Sequence, residues 1–244
     1  MCDTCHAGCC RAYNLLITVF DALQISRDLS LPIGEFVTML PRDADGAKRF
    51  GDMHRPLRFS DPGFEDTFFY IGLKQIESRL VPGTVRCHFL QEWPRAEVIP
   101  ERGSHPGAKI AGRCGIYGSR PMMCRAYPSF LHKDGALGMV TNPADTPMTQ
   151  AHEIYTLCPD KWTLASFGSD TTQVVHQLVL NRYEIDFQNK LIDEWNARPR
   201  SLKEFFPFAV ACYSGRFRVI PEMVTTPSVG QAAAPAVEPA PIPE

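Results

Sequence analysis

An excess of charge is the first thing this sequence lacks: 25 Lys and Arg stand against 27 Asp and Glu, a formal net charge of -2. Such a balance exerts no general pull on nucleic acid or on an anionic membrane, and neither is expected as a partner. Long apolar runs are missing too. The stretch from Leu15 to Phe20 stops at Asp21, and residues 1–25 have no basic leader region. Neither a cleaved secretory signal nor a membrane span is expected, and the expected location is cytoplasmic. There is no glycine-rich turn between a strand and a helix of the kind a Rossmann-type methyltransferase needs. No Ser-His-Asp ordering stands out, and no βαβ pattern surrounds Cys2 and Cys5, which argues against a thioredoxin-like use of that pair. Their C-x2-C-x3-C spacing is also the reverse of the radical-SAM order.

Cysteine, by contrast, is abundant. The opening MCDTCHAGCC holds Cys2, Cys5, Cys9 and Cys10; Cys87, Cys114, Cys124 and Cys158 form a later set, and Cys212 is left over. In a reducing compartment thiols stay free, and an odd total of nine further weakens a disulfide framework. A chain of 244 residues with 44% hydrophobic content can bury a core without staples. Metal or redox chemistry is therefore the leading class. Two sets of four match the four cysteine ligands taken by zinc or by a common iron-sulfur cluster. If residues 2–10 are helical, Cys2, Cys5 and Cys9 share one face while Cys10 turns about 100° away. Arg11, Arg86, Arg113, Arg120 and Arg125 stand close to cysteines and would offset thiolate charge. Tyr117 and Tyr127 are placed to cover such a site, and His6 and His88 adjoin it in sequence. Cys212, in FFPFAVACY, reads as a small buried hydrophobe.

The C-x2-C-x3-C-C opening followed by Arg11, the phrase ITVFDALQISRDLSLPIGEF, and C-x-I-Y-x-x-R-P-x-x-C-R-x-Y-P from Cys114 to Pro128 resemble the YkgJ-type cysteine-cluster family. That family is described as zinc- or iron-chelating or as containing an iron-sulfur cluster, and the flagellin lysine-N-methylases are similar to it. The resemblance covers about residues 2–40 and 86–160. It implies that Cys2, Cys5, Cys9, Cys10, Cys87, Cys114, Cys124 and Cys158 ligate metal, with Arg120, Arg125 and Tyr117 beside the cofactor. Against the family pattern, 26 residues separate Cys87 from Cys114, including the loop-like PERGSHPGAK.

Local patterns place these residues. Thr18 and Asp21 have a capping-box layout and predict a helix over about 19–28. Pro32 opens a predicted second helix through Ile33, Phe36, Val37 and Leu40. DTFFYIGLK and TVRCHFL read as strands, the latter ending at Cys87. CGIYGSRPMMCRAYP is expected to turn or form a short helix. MTQAHEIYTL reads as a helix leading to Cys158, Thr171 to Trp195 as the longest helix, and Ser201 to Phe208 as a further short one. After about 222 the text becomes rich in alanine and proline and reads as a disordered tail.

The sequence thus predicts an α+β chain, mostly helical, with a small irregular β element and helices gathered around a cysteine-ligated metal site. Residues 1–222 form the expected domain and 223–244 the tail. The expected function is that of a metalloprotein holding an iron-sulfur cluster of the 4Fe-4S kind, or zinc, through eight cysteines, as an oxidoreductase component with a protein redox partner. The alternatives are a zinc-stabilised binding module and a protein-lysine N-methyltransferase, the latter using S-adenosylmethionine on a protein substrate. Metal binding would close loops of 80 to 150 residues and couple ligation to folding.

Overall fold

The computed structural model describes residues 7–44, 47, 53–94, 110–132, 134–139, 147–150, 153–156 and 171–218. Cys2, Cys5, His6, Cys158, the PERGSHPGAK insertion up to Lys109 and the 223–244 tail lie outside them.

The chain enters through a short helix, α1 (Gly8–Ala12), and then α2 (Val19–Leu29). The capping box predicted for α2 is present: Asp21 N donates to Thr18 Oγ1 at 3.1 Å, and Thr18 N donates to Asp21 Oδ2 at 3.0 Å. Such a cap stabilises a helix start by about 1 kcal/mol. Ser30 ends α2 in the left-handed region at φ 54. Inward, α2 buries Val19, Ala22 and Ile25.

The predicted second helix is shorter than the sequence suggests. Helix α3 covers only Ile33–Phe36, and β1 (Val37–Arg42) follows directly. Val37 and Thr38 are β-branched, and the partner strand β2 (Phe68–Leu73) offers aromatic and branched neighbours, so pairing overrides the helical spacing. The pair is antiparallel from Val37 opposite Leu73 to Arg42 opposite Phe68. On its other edge β2 receives the segment before α2, through Ile17 N to Ile71 O at 3.0 Å and Leu73 N to Leu15 O at 3.0 Å.

Four more antiparallel pairs follow among the described residues. They are β3 (Gln75–Glu77) with β4 (Val85–Cys87), β5 (Leu90–Pro94) with β6 (Ile110–Cys114), β7 (Ser129–Leu131) with β8 (Leu137–Met139), and β9 (Pro147–Gln150) with β10 (Glu153–Thr156). A 3-10 turn at Tyr117–Ser119 and helix α4 (Met122–Ala126) lie between β6 and β7. The β9–β10 hairpin stands where MTQAHEIYTL predicts a helix. Thr149, Ile154, Tyr155 and Thr156 favour an extended backbone, and the spacing of its apolar residues suits either structure.

Helices α5 (Thr171–Ala197) and α6 (Leu202–Arg218) close the described chain. Asn189 and Asn196, two turns apart on α5, act as surrogate backbone for residues 53–58. Arg55 N donates to Asn189 Oδ1 at 2.8 Å, and Arg58 N to Asn196 Oδ1 at 3.0 Å. Asp61 accepts from Ser201 Oγ and from Leu202 N, both at 2.7 Å, and so begins α6. That helix runs well past the predicted Phe208 despite Pro207. The proline and Lys203, whose carbonyl loses its partner, are both exposed, so water can satisfy that carbonyl.

The core sits between α2, α5, α6 and β2. Phe59 meets Phe69, Trp195 and Phe205 with ring centroids 5.2, 6.1 and 6.2 Å apart. Trp195 is 1% exposed, and its indole donates to Arg58 O at 2.8 Å. The α+β class is as predicted. The metal site around which it was expected to gather is not what the described residues form.

Candidate functional site

Two helices and the ends of two strands bring cysteines to one wall. Cys9 and Cys10 come from α1, Cys87 from the end of β4, Cys114 from the end of β6 and Cys124 from α4. All five are half-buried. The seating of α1 explains how they meet. A Cβ on Gly112 would lie 2.9 Å from the Ala7 Cβ and 3.1 Å from Leu90 Cδ1, so only glycine lets the start of α1 press against the β5–β6 ladder. Ala7 itself turns into α1 at φ 59, a left-handed conformation rare for alanine.

Cys9 Sγ and Cys10 Sγ lie 4.0 Å apart. The hydrogen bond with Cys9, burial and the neighbouring sulfurs Cys9, Cys87 and Cys124 hold Cys10 protonated well above the ordinary thiol range. A hydrogen bond between the two sulfurs can run in either direction. Cys87 is pushed up to about 11, first by burial and then by Cys114 and Cys9, while the Phe89 N–H and Arg86 pull it back. Cys124 is raised by burial, by Cys9, Cys87 and Cys114, and by the Asp21 carboxylate. Each of these shifts records how near the thiols lie to one another.

Most of the neighbouring arginines have other work. Arg11 and Arg86 are buried and converge on Glu92, at 2.6 Å through Arg11 Nη2 and 3.3 Å through Arg86 Nε. Glu92 also accepts from Ser78 Oγ at 2.9 Å and from Arg79 N at 2.7 Å. Burial raises its carboxyl, but the hydrogen bonds from Ser78, Arg11 and Arg79 N overcome this and hold it below the usual carboxylate range. Arg125 donates to Arg120 O at 2.8 Å and Gly118 O at 2.9 Å. Arg120 lies over the Tyr117 ring at 3.8 Å, with Arg113 at 5.8 Å. Tyr117 is 44% exposed and packs under arginine instead of over sulfur. Tyr127 meets Tyr13 edge-on at 6.0 Å. Beneath α4, Asp21 accepts from Met122 N at 3.0 Å with the oxygen its capping box leaves over. The tie between α2 and α4 uses a residue that the sequence signals only as a cap.

The expected ligand set is corrected by this geometry. Among the described residues, no group of three or more His, Cys, Asp or Glu side chains is arranged to hold a metal ion. Most of the arginines expected to balance thiolate charge are bound to Glu92, to carbonyls or to Tyr117. The iron-sulfur and zinc cofactors, the zinc-stabilised module and the methylase with its S-adenosylmethionine therefore have no support in these residues. Cys2, Cys5 and Cys158 lie outside them. Cys212 is half-buried against the core, and burial raises its thiol. His88 faces a neighbouring cleft. Among the described residues no helix is long and apolar enough to cross a membrane. In comparisons with known proteins the chain matches no family model, no curated protein and no solved structure, so its resemblance to the YkgJ-type cysteine-cluster proteins and the flagellin lysine-N-methylases is not upheld.

Proposed function

We propose that the cysteine wall is a site of thiol–disulfide exchange. The observation that carries this reading is the 4.0 Å approach of the Cys9 and Cys10 sulfurs, with further thiols close enough to act on the pair. Cys9 is the attacking sulfur, because Cys10, Cys87 and Cys124 are each held protonated above the ordinary thiol range and all three face it. Its thiolate attacks a disulfide of the partner; that S–S bond breaks, a mixed disulfide forms, and the leaving sulfur takes a proton from solvent. A facing thiol, Cys87 or Cys124, each of which feels the charge of Cys9, then loses its proton and attacks the Cys9 sulfur. The second partner thiol is released, and two electrons have passed from the chain to the partner disulfide. The partner is a disulfide-bearing protein or small molecule, and the reading places the chain in the cytoplasm, where the reduced form is replenished.

Oxidised glutathione tests this, with acid quenching, alkylation and mass spectrometry of each cysteine. The mixed disulfide is expected first on Cys9, and Cys9→Ser should abolish exchange while Cys212→Ser leaves it intact. With Cys87 held at about 11, the resolving step should quicken by about tenfold per pH unit from pH 7 to 9. Equal labelling of Cys212, or exchange that survives Cys9→Ser, would overturn the reading.

A further inference from the structure

A cleft of about 710 Å³ opens on the other face of β4 from the thiols. Side chains alternate along a strand, so Arg86 lines this cleft while Cys87 turns to the cysteine wall. Its volume is that of a small-molecule site, and its mixture of apolar walls with a few polar groups is the usual one. Leu31 after α2, Leu80, Phe89 and Ile116 supply the apolar part.

The polar part is rich in donors. Arg86 is 8% exposed; its guanidinium donates to Leu90 O and lies 3.3 Å from Glu92 through Nε, which has no aligned hydrogen bond. Glu92 is itself neutralised, because Arg11, Arg86, Ser78 and Arg79 N converge on its two oxygens. His88 Nδ1 is buried with no hydrogen-bond partner, an arrangement that costs free energy until something fills it. The Arg79 side chain, exposed at the rim, has no ion pair among the described residues. Glu35 is the carboxylate that acts on His88, and the Arg79 guanidinium and His88 Nδ1 remain as the cleft's groups without a partner among the described residues.

We infer that this cleft binds a small amphipathic carboxylate, its apolar body against Leu31, Leu80, Phe89 and Ile116 and its head on Arg79 and His88. The carboxylate accepts from the Arg79 guanidinium in the charge-assisted geometry that arginine favours, and gives His88 Nδ1 the partner it lacks. An aliphatic chain alone would fill the walls and leave both donors unmet. A cation would meet the unbalanced guanidinium at the rim.

Isothermal titration of the full chain with sodium octanoate, and with octan-1-ol for comparison, tests this. Octanoate is expected to bind and octan-1-ol to bind at least about tenfold more weakly. Arg79→Gln, at an exposed position, should fold normally and weaken octanoate about tenfold without altering octan-1-ol. Cys9→Ser should leave binding unchanged, which separates this site from the thiol reading. No octanoate binding at millimolar concentration, equal affinity for the alcohol, or indifference to Arg79→Gln would each overturn the inference.

Discussion

Around Trp195, rings from three parts of the chain, Phe59, Trp195 and Phe205, meet edge to face, and the polar atoms nearby are satisfied by two asparagines and a backbone carbonyl. Around Cys10 the packing is made of sulfur, a glycine contact and a buried cluster of one carboxylate with two arginines. The first region is held by apolar area, which is non-directional and tolerant of solution conditions. The second is held by directed polar contacts, each of which leaves an unpaired buried group if its partner goes. A molecule so divided should lose its cysteine wall before its core, and four changes probe that order.

Trp195→Ala has the largest expected effect, about 3–5 kcal/mol, because it empties the centre of the aromatic cluster. Urea unfolding followed by fluorescence and by far-UV circular dichroism should shift together. An unchanged midpoint would show that Trp195 is not at the centre of the core. Glu92→Gln comes next. It leaves Arg11 and Arg86 buried without their counter-charge, and about 3 kcal/mol is expected, as for other broken buried pairs. Iodoacetamide should then label Cys9, Cys10 and Cys87 sooner than it labels Cys212, and uniform labelling would contradict the division.

His54, buried near the Asn189 end of the aromatic side, titrates at about 4 because burial penalises its cation. Unfolded, it titrates near ~6.5, so its contribution is complete above that pH and is lost as pH falls toward 4, in all about 3 kcal/mol. Denaturant midpoints of the wild type should drop across that window, and His54→Leu should flatten the drop; parallel profiles would refute the assignment. The smallest effect, about 1–2 kcal/mol, is expected for Gly112→Ala, which forces Ala7 and α1 away from β6. The thermal midpoint should fall slightly while Cys9 and Cys10 become much more reactive to alkylation. Unchanged reactivity would mean that α1 is held by something other than this contact.

What could be read from the sequence was local. Thr18 and Asp21 announced α2, and the aromatic run at 68–73 announced a strand, because caps and pleated aromatic faces are written within a few residues. Val37 and the 147–156 stretch misled because their apolar spacing fits two periods, and the choice belongs to a strand partner elsewhere. The gathering of Cys9, Cys10, Cys87, Cys114 and Cys124 could be inferred from their number, but not the hands of α1 and β4 that set which sulfurs face. The arginines misled in the same way: Arg11 and Arg86 sit beside cysteines in sequence yet answer to Glu92, 81 residues from Arg11. The cleft, assembled from four separate stretches, leaves no mark in any one of them.

One carboxylate also bears on the order of assembly. Asp21 completes its own cap from three residues away, but its second oxygen takes the first turn of α4 across 101 residues. Helix α2 can therefore nucleate early from local contacts, while the carboxylate that starts it waits, half-solvated, for a loop closure that is slow and entropically costly. The step that buries Asp21 against Met122 is the same one that brings Cys124 to the other thiols.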